Sequence, residues 1–310
     1  MSEVVLLMGF PASGKSTVAK EYTDKGYSYI NRDMLGGKVA TKVPMMMNEL
    51  SVNRNVLLDN TFPDAESRAP FIAGAKKVGA AIKCVMMGTK IEDAQFNAAY
   101  RMIQRKGKLL GPDDYKGEKD PNIFPPVVLF GYQKKFQQPT ALEGFDSVET
   151  IPFVRKLDPE FKEKAAIFDY DDTLRKTKSG SLYPTNPDDI EILPGRKEKL
   201  AQLVAEGYKL LGVSNQSGVA KGELTDEMAR KCFDRTNELL GQSIDYLFCP
   251  HGKFPINCYC RKPMNGNFVV HMVKHKLDPA KCFFVGDMTS DKTFAGRAGI
   301  KFYHADKYFV

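Results

Sequence analysis

The chain has 310 residues, enough for one large domain or two ordinary ones, each able to bury its own core. Its 43% hydrophobic and 27% charged content is that of a soluble globular protein, and no apolar run reaches bilayer length, which argues against a membrane role. The formal net charge of +7 divides as +4 over residues 1–158 and +3 over 159–310, an excess that permits a polyanionic substrate without demanding one.

The apolar run Val4–Met8 predicts a buried strand, and Lys15–Lys25 the helix after it. Between them, Gly9-Phe10-Pro11-Ala12-Ser13-Gly14-Lys15-Ser16-Thr17 fits the pattern G-x-x-x-x-G-K-[ST]. Backbone N–H groups of such a loop converge on phosphate oxygens at the positive end of the helix. Lys15 would meet the β- and γ-phosphates of ATP, and the Ser16 hydroxyl would face Mg²⁺. Gly9, Ser13, Gly14, Lys15, Ser16 and Thr17 are therefore the nucleotide-binding candidates.

Tyr27–Ile30 predicts a short strand that ends in Asn31-Arg32-Asp33. A carboxylate just past a strand of an α/β sheet sits where ligands bind, so Asp33 is a candidate general base for a substrate hydroxyl; a helix N-cap before Met34 is the structural alternative. Val56–Leu58 is a second apolar run, ending in Asp59-Asn60-Thr61. Asp59 is placed either to hold Mg²⁺ through water or to position substrate, and the residues alone leave both open. A helix from Pro63-Asp64 through Val78, with a bend near Pro70, a strand over Ala81–Met87 and a helix over Ile91–Lys106 follow. That last helix carries Gln95, Arg101 and Arg105; a lid arginine there would offset charge on a transferring phosphoryl group. Gly107–Pro126 has no periodicity and predicts a loop, and Val127–Tyr132 predicts a strand.

The segments Gly9–Thr17, Tyr29–Gly36, Leu58–Asp64, Tyr132–Phe136 and Glu143–Phe145 together resemble the kinase domain of polynucleotide kinase 3′-phosphatases, over essentially residues 1–153. The resemblance implies that Lys15 and Ser16 bind ATP and Mg²⁺ and that Asp33 takes the proton from a 5′-hydroxyl. It also implies that Arg101 is a lid arginine, and that Asp59 and Asn60, with Arg32, place the accepting nucleotide.

Ile151-Pro152-Phe153 closes the last strand of this part, and the charged stretch up to Lys164 reads as a linker. No repeat relates the two halves. The organisation expected is α/β throughout: a P-loop kinase domain over 1–154 with a parallel sheet, a linker over 155–164, and a second domain over 165–310.

In the second half, Ala165–Phe168 predicts a strand running into Asp169-Tyr170-Asp171-Asp172-Thr173-Leu174. Two carboxylates at i and i+2 can divide the work: one attacks phosphorus, the other protonates the leaving oxygen and later activates water, with Mg²⁺ drawing the anions together. Lys209–Val213 leads to Ser214-Asn215, whose hydroxyl and amide can hold phosphate oxygens. Arg261-Lys262 supplies the cation, and Phe283–Val285 leads to Asp287 and Asp291. This order of parts resembles the haloacid-dehalogenase phosphohydrolases over residues 165–310. It implies a Rossmann-like phosphatase domain with Asp169 as nucleophile, Asp171 as acid/base, Ser214 and Lys262 on the phosphoryl group, and Asp169, Asp171, Asp287 and Asp291 around Mg²⁺.

Cys249, His251, Cys258 and Cys260 offer four ligands for a closed, structural Zn²⁺ in a loop over 249–260. The arrangement resembles the loop of heptose bisphosphate and histidinol phosphatases, and Arg261-Lys262 follows it directly, so the metal would set the reach of Lys262. Cys84, Cys232 and Cys282 lie apart, which points to a reducing compartment, cytoplasmic or nuclear, rather than to a disulfide framework. His271, His275 and His304 have no ligand spacing.

The leading expectation is an enzyme that phosphorylates 5′-hydroxyl ends and removes 3′-phosphates from DNA or RNA, leaving ends for a ligase acting downstream. A small-molecule kinase fused to a sugar-phosphate phosphatase is the alternative. Trp is absent, and no aromatic–basic platform for a single strand stands out.

Overall fold

The computed structural model describes residues 2–31, 35–36, 41–255 and 257–310. The chain gathers into two compact units, Met1–Ala98 with Glu118–Arg155, and Ala99–Gly117 with Lys156–Val310. Ala99–Gly117 thus groups with the second unit, although it falls within the stretch 1–154 that the sequence assigns to the first domain. The physical reason lies in its apolar residues: Leu109 packs against the buried sulfurs of Cys249, Cys258 and Cys260.

The first unit runs β1 (Glu3–Met8), α1 (Lys15–Thr23), β2 (Ser28–Asn31), α2 (Lys42–Ser51), β3 (Val56–Asp59), α3 (Ala65–Lys77), β4 (Ala81–Met87), the start of α4 (Ile91–Lys106), α5 (Val127–Lys135) and β5 (Ser147–Ile151). The strands form one parallel sheet in the order β2-β3-β1-β4-β5. Central β1 is buried on both faces, as an interior parallel strand must be. Val4, Leu6 and Met8 pack on one side with Leu58 and Phe71, and Val5 and Leu7 on the other with Val18 and Leu57. Asp64 caps α3 by accepting from the Ser67 N–H at 2.9 Å, and Pro70 lies inside that helix. Fully buried Arg68 meets Glu143 through two 2.7 Å hydrogen bonds, which ties α3 to the segment before β5.

Val127–Tyr132, expected as a strand, is the body of helix α5. The short apolar run is ambiguous by pattern alone. Pro125 and Pro126 decide it, because a proline at a helix start forfeits no intrahelical bond. Leu129 and Tyr132, three apart, are buried, whereas adjacent Val127 and Val128 are exposed.

The second unit begins its sheet with β6 (Ala165–Phe168), then a two-stranded antiparallel flap of β7 (Arg175–Thr177) and β8 (Ile190–Ile192). It continues through α6 (Arg196–Ala205), β9 (Lys209–Asn215), α7 (Ser217–Ala220), α8 (Asp226–Leu240), β10 (Asp245–Cys249), α9 (Gly266–His275), β11 (Phe283–Gly286), α10 (Thr289–Ala298), β12 (Lys301–His304) and α11 (Ala305–Tyr308). Its parallel sheet has the order β10-β9-β6-β11-β12. In both sheets the strand order reverses beside the central strand, β1 or β6, and the carboxyl ends there form the crevice where α/β proteins bind ligands.

Candidate active sites

In the first unit, the turn after β1 is shaped by backbone that only certain residues adopt. Gly9 has φ +147°, and a Cβ there would come within 2.8 Å of the Met87 Cβ; Gly14 has φ +91° at the start of α1. The loop is braced from outside. Thr89 donates to the Ser13 carbonyl at 2.8 Å, and the Asn97 amide donates to the Ala12 carbonyl at 2.9 Å. Lys15 Nζ folds over the loop and donates to the carbonyls of Gly9 and Phe10 at 3.1 and 2.8 Å. Ser16 and Thr17 are exposed on the first turn of α1, and the Ser13 hydroxyl is buried. A helix N-terminus and an ammonium folded over a glycine turn are the parts from which a phosphate cradle is built.

Asp59 ends β3 beside β1 and is 4% exposed. The Tyr29 hydroxyl and the Asn31 amide donate to its Oδ2 at 2.6 and 3.0 Å. Its buried Oδ1 has no partner among the described residues. An orphaned anionic acceptor beside a phosphate loop fits a hydrated Mg²⁺, so the residues present suit the metal that such a loop needs. Asn60 turns its side chain onto the Thr61 N–H at 2.7 Å. Arg32 and Asp33 lie outside the described residues. Arg101 groups with the second unit, where its charge acts on buried Tyr259.

In the second unit, four strand ends supply the site: Asp169 after β6, Ser214 one residue before the end of β9, Asp287 after β11, and the loop following β10. Lys262 is 3% exposed, and its Nζ stands 2.8 Å from Asp169 Oδ1 and 2.8 Å from Asp291 Oδ1. Asn215 fixes the backbone of this lysine: its amide donates to the Lys262 carbonyl at 3.0 Å, and its oxygen accepts the Lys262 N–H at 2.9 Å. Oxygens of Asp169, Asp287 and Asp291 lie within 4.8 Å of one another. Gly286 allows this crowding, because a Cβ there would sit 2.4 Å from Asp291 Oδ2.

Burial pushes the Asp169 carboxyl up to about 7, with Lys262 pulling it down and Asp291 and Asp171 adding repulsion. Burial also raises Asp287, again with Asp291 contributing. Burial would lower the Lys262 ammonium, but Asp169 and Asp291 outweigh it and leave it raised. Three carboxyls held together against their repulsion and served by one lysine are short of positive charge, which is the donor set of a Mg²⁺ site.

Asp171 is held by two groups that sequence reasoning missed. Arg175 Nε donates to Asp171 Oδ1 at 2.9 Å, and the Gln216 amide donates to Asp171 Oδ2 at 3.0 Å and to the Ser214 hydroxyl at 3.1 Å. Arg175 is itself buried and donates to the Cys232 carbonyl and the Thr236 hydroxyl, both at 2.8 Å. Thr173 donates to Asp287 Oδ1 at 3.3 Å. The signal available was the spacing Asp171-Asp172-Thr173-Leu174-Arg175, a tight turn that returns an arginine to the first acid.

The loop after β10 brings Cys249, His251, Cys258 and Cys260 together as the spacing suggested. Cys249 and Cys258 sulfurs are 3.7 Å apart, and His251 Nδ1 lies 3.5 Å from Cys249 Sγ and 3.3 Å from Cys260 Sγ. A tetrahedron with metal–sulfur bonds of about 2.3 Å has edges of about 3.8 Å, so the four donors fit a zinc-sized ion. Hydrogen bonds from its two thiol neighbours hold Cys258 well below the usual thiol range. Arg261 donates to the His251 carbonyl at 3.0 Å, which ties the loop to the residue before Lys262.

Topology and sites together define the class: a P-loop domain of the kinase type, followed by a phosphatase of the haloacid-dehalogenase type. Residues 164–309 match the family model described as polynucleotide kinase 3 phosphatase, and residues 4–108 match an AAA domain model. The chain is 33% identical over 152 residues to a bifunctional polynucleotide phosphatase/kinase of Schizosaccharomyces pombe, covering 49% of this chain and 34% of that protein. It is 32% identical over 153 residues to D-glycero-beta-D-manno-heptose-1,7-bisphosphate 7-phosphatase of Haemophilus ducreyi, covering 45% of this chain and 80% of that protein. Among solved structures, the D,D-heptose 1,7-bisphosphate phosphatase of B. bronchiseptica with magnesium and phosphate is 28% identical, with a TM-score of 0.41, covering 45% of this chain and 78% of that one. Through residues 164–309 the chain belongs to the haloacid-dehalogenase phosphatase family of which these relatives are members. It spans only about a third of the length of the S. pombe relative.

Proposed function

We propose that the chain heals nucleic-acid ends, its first domain phosphorylating 5′-hydroxyls from ATP and its second removing 3′-phosphates. The observation that carries this reading is the presence, in one chain, of a phosphate loop and a carboxylate–lysine phosphatase site, together with similarity to a bifunctional polynucleotide phosphatase/kinase. In the kinase step, Asp33 takes the proton of the 5′-hydroxyl and the oxygen attacks the γ-phosphorus as the bond to ADP breaks. Lys15, released from the Gly9 and Phe10 carbonyls, follows the phosphates; Asp59 and Ser16 would hold Mg²⁺, whose charge offsets that of the phosphates, and Asn60 and Arg32 would place the acceptor.

In the phosphatase step, an Asp169 oxygen attacks phosphorus and the bond to the 3′-oxygen breaks as Asp171 gives that oxygen a proton. Asp171 then takes a proton from water, which attacks the aspartyl phosphate and frees inorganic phosphate. Lys262, Ser214 and Asn215, with Arg261 at the rim, neutralise and hold the phosphoryl oxygens. Asp169, Asp287 and Asp291, with the main-chain carbonyl of Asp171, would hold Mg²⁺, whose charge favours the ionised form of Asp169. Cys249, His251, Cys258 and Cys260 would hold a structural Zn²⁺. The products, 5′-phosphate and 3′-hydroxyl, are what a ligase joins, in a reducing compartment such as cytoplasm or nucleus.

The test supplies Mg²⁺, ATP and an oligonucleotide bearing 5′-hydroxyl and 3′-phosphate ends. Lys15→Ala abolishes 5′ phosphorylation and spares 3′ removal; Asp169→Asn does the reverse. The metabolic reading is favoured by the metal loop and by the 80% coverage of a heptose bisphosphate phosphatase. It wins if neither end changes while free heptose bisphosphate is hydrolysed.

A further inference from the structure

At the carboxyl ends of β9 and β10, a cavity of about 360 Å³ opens among Pro112, Val219, Ala220, Pro250, Phe254 and Pro255. Its volume is in the range of small-molecule pockets, and its walls are mostly apolar, with His251, Asn257 and Cys258 supplying the polar groups. Phe254 is 73% exposed, although exposing a large aromatic side chain to water forfeits the gain from burying it. Lys253 Nζ stands 5.6 Å from the centre of the Phe254 ring, so the shelf carries a cation beside an aromatic face.

Gln216 ties the cavity to the phosphatase site: its side chain meets Asp171 and Ser214, and its N–H donates at 2.8 Å to the carbonyl of Cys249, the residue before Pro250 of the cavity wall. Val219 and Ala220 belong to α7, which starts two residues after Asn215, the clamp on Lys262. The opposite wall is the metal loop, which runs from Cys258 to Lys262 in four residues. Asp169, Ser214 and this cavity therefore share the carboxyl end of the sheet, and the cavity lies outside the set of groups proposed to touch phosphorus.

Resting on the end-healing reading, we infer that this cavity is the seat of the 3′-terminal nucleobase, stacked on Phe254, with Lys253 toward the strand's phosphodiester backbone. A phosphoryl group alone identifies no strand end; an apolar slot beside it, with one exposed ring, recognises any base because every base has a π-face.

The experiment measures release of phosphate from two 3′-phosphorylated oligonucleotides, one with a normal terminal nucleotide and one abasic at that nucleotide. The native protein should show a KM about ten times higher on the abasic strand, within the range of about five- to hundredfold that stacking one base supports. Phe254→Ala should impose the same rise on the normal strand and none on the abasic one, and Phe254→Trp should restore the native value. Equal KM for both strands in the native protein overturns the proposal, as does a Phe254→Ala loss of the same size on both. If neither oligonucleotide is hydrolysed while p-nitrophenyl phosphate is, the end-healing reading itself has failed.

Discussion

Arg175 and Asp171 show how the second site is held at the scale of single residues. The arginine is 1% exposed at its side chain and the aspartate 19%, so neither charge is solvated enough to stand alone. Removing one partner of such a pair leaves the other buried and uncompensated, which costs about 3–5 kcal/mol. Arg175→Met keeps an apolar stem and deletes the guanidinium, which stands over the Tyr170 and Phe233 rings as well as beside Asp171. It should lower unfolding free energy by about 3 kcal/mol in urea denaturation, at the low end because Asp171 keeps some contact with water. It should also lower kcat for 3′-phosphate removal more than it raises KM, since Asp171 is the proposed acid/base; a change in stability alone, with kcat intact, would make Arg175 a scaffold residue only. The Asp169–Asp171 pair was legible because two acids after a strand form a local pattern. Arg175 and Gln216 were not, since their identity is ordinary and their role appears only when β7 turns back and β9 ends beside β6.

Among elements, the metal loop joins the two kinds of evidence most directly. Spacing alone picked out Cys249, His251, Cys258 and Cys260 as candidate ligands, and the fold brings them together at separations that suit a tetrahedral site. It did not reveal that Leu109, from a segment that looks like featureless loop, would cover the sulfurs. Likewise α2 carries Val43, Met46, Met47 and Leu50 at helical spacing without having been expected, and α5 read as a strand until its two leading prolines and its three-residue burial step were seen. Short apolar runs lack the length over which period 2 and period 3.6 diverge. The loop's consequence is testable. Cys258→Ser should drop bound zinc from about one per chain to a tenth of that or less, and abolish the thiolate-to-metal absorption of the cobalt-loaded protein. Because Arg261 and Lys262 follow Cys260 directly, kcat for 3′-phosphate removal in excess Mg²⁺ should fall about 10- to 100-fold, the usual range for losing a group that orients a site. Metal lost with kcat unchanged would show that Lys262 is placed by Asn215 without help from the loop.

At the scale of the whole molecule, the two readings of function differ in how many charges meet the substrate. The net charge is +7, and both halves are mildly basic. A free sugar bisphosphate meets the protein only through its own phosphates, which the buried Lys262 and the strand ends accommodate locally. A strand also lays its phosphodiesters along the surface, and each one neutralised releases condensed counterions. With about three backbone contacts, a single strand gives a slope of log K against log salt near about −2, so raising salt from about 50 to 200 mM should raise KM about 20-fold. The same change should move KM for p-nitrophenyl phosphate only a few-fold, because that substrate displaces no string of counterions. Lys253→Ala, removing the cation beside Phe254, should reduce the slope by about 0.7 if that lysine meets one phosphodiester. Parallel salt dependence for oligonucleotide and p-nitrophenyl phosphate would mean that the surface contributes nothing beyond the phosphoryl pocket, and a small phosphorylated metabolite would then be the better substrate.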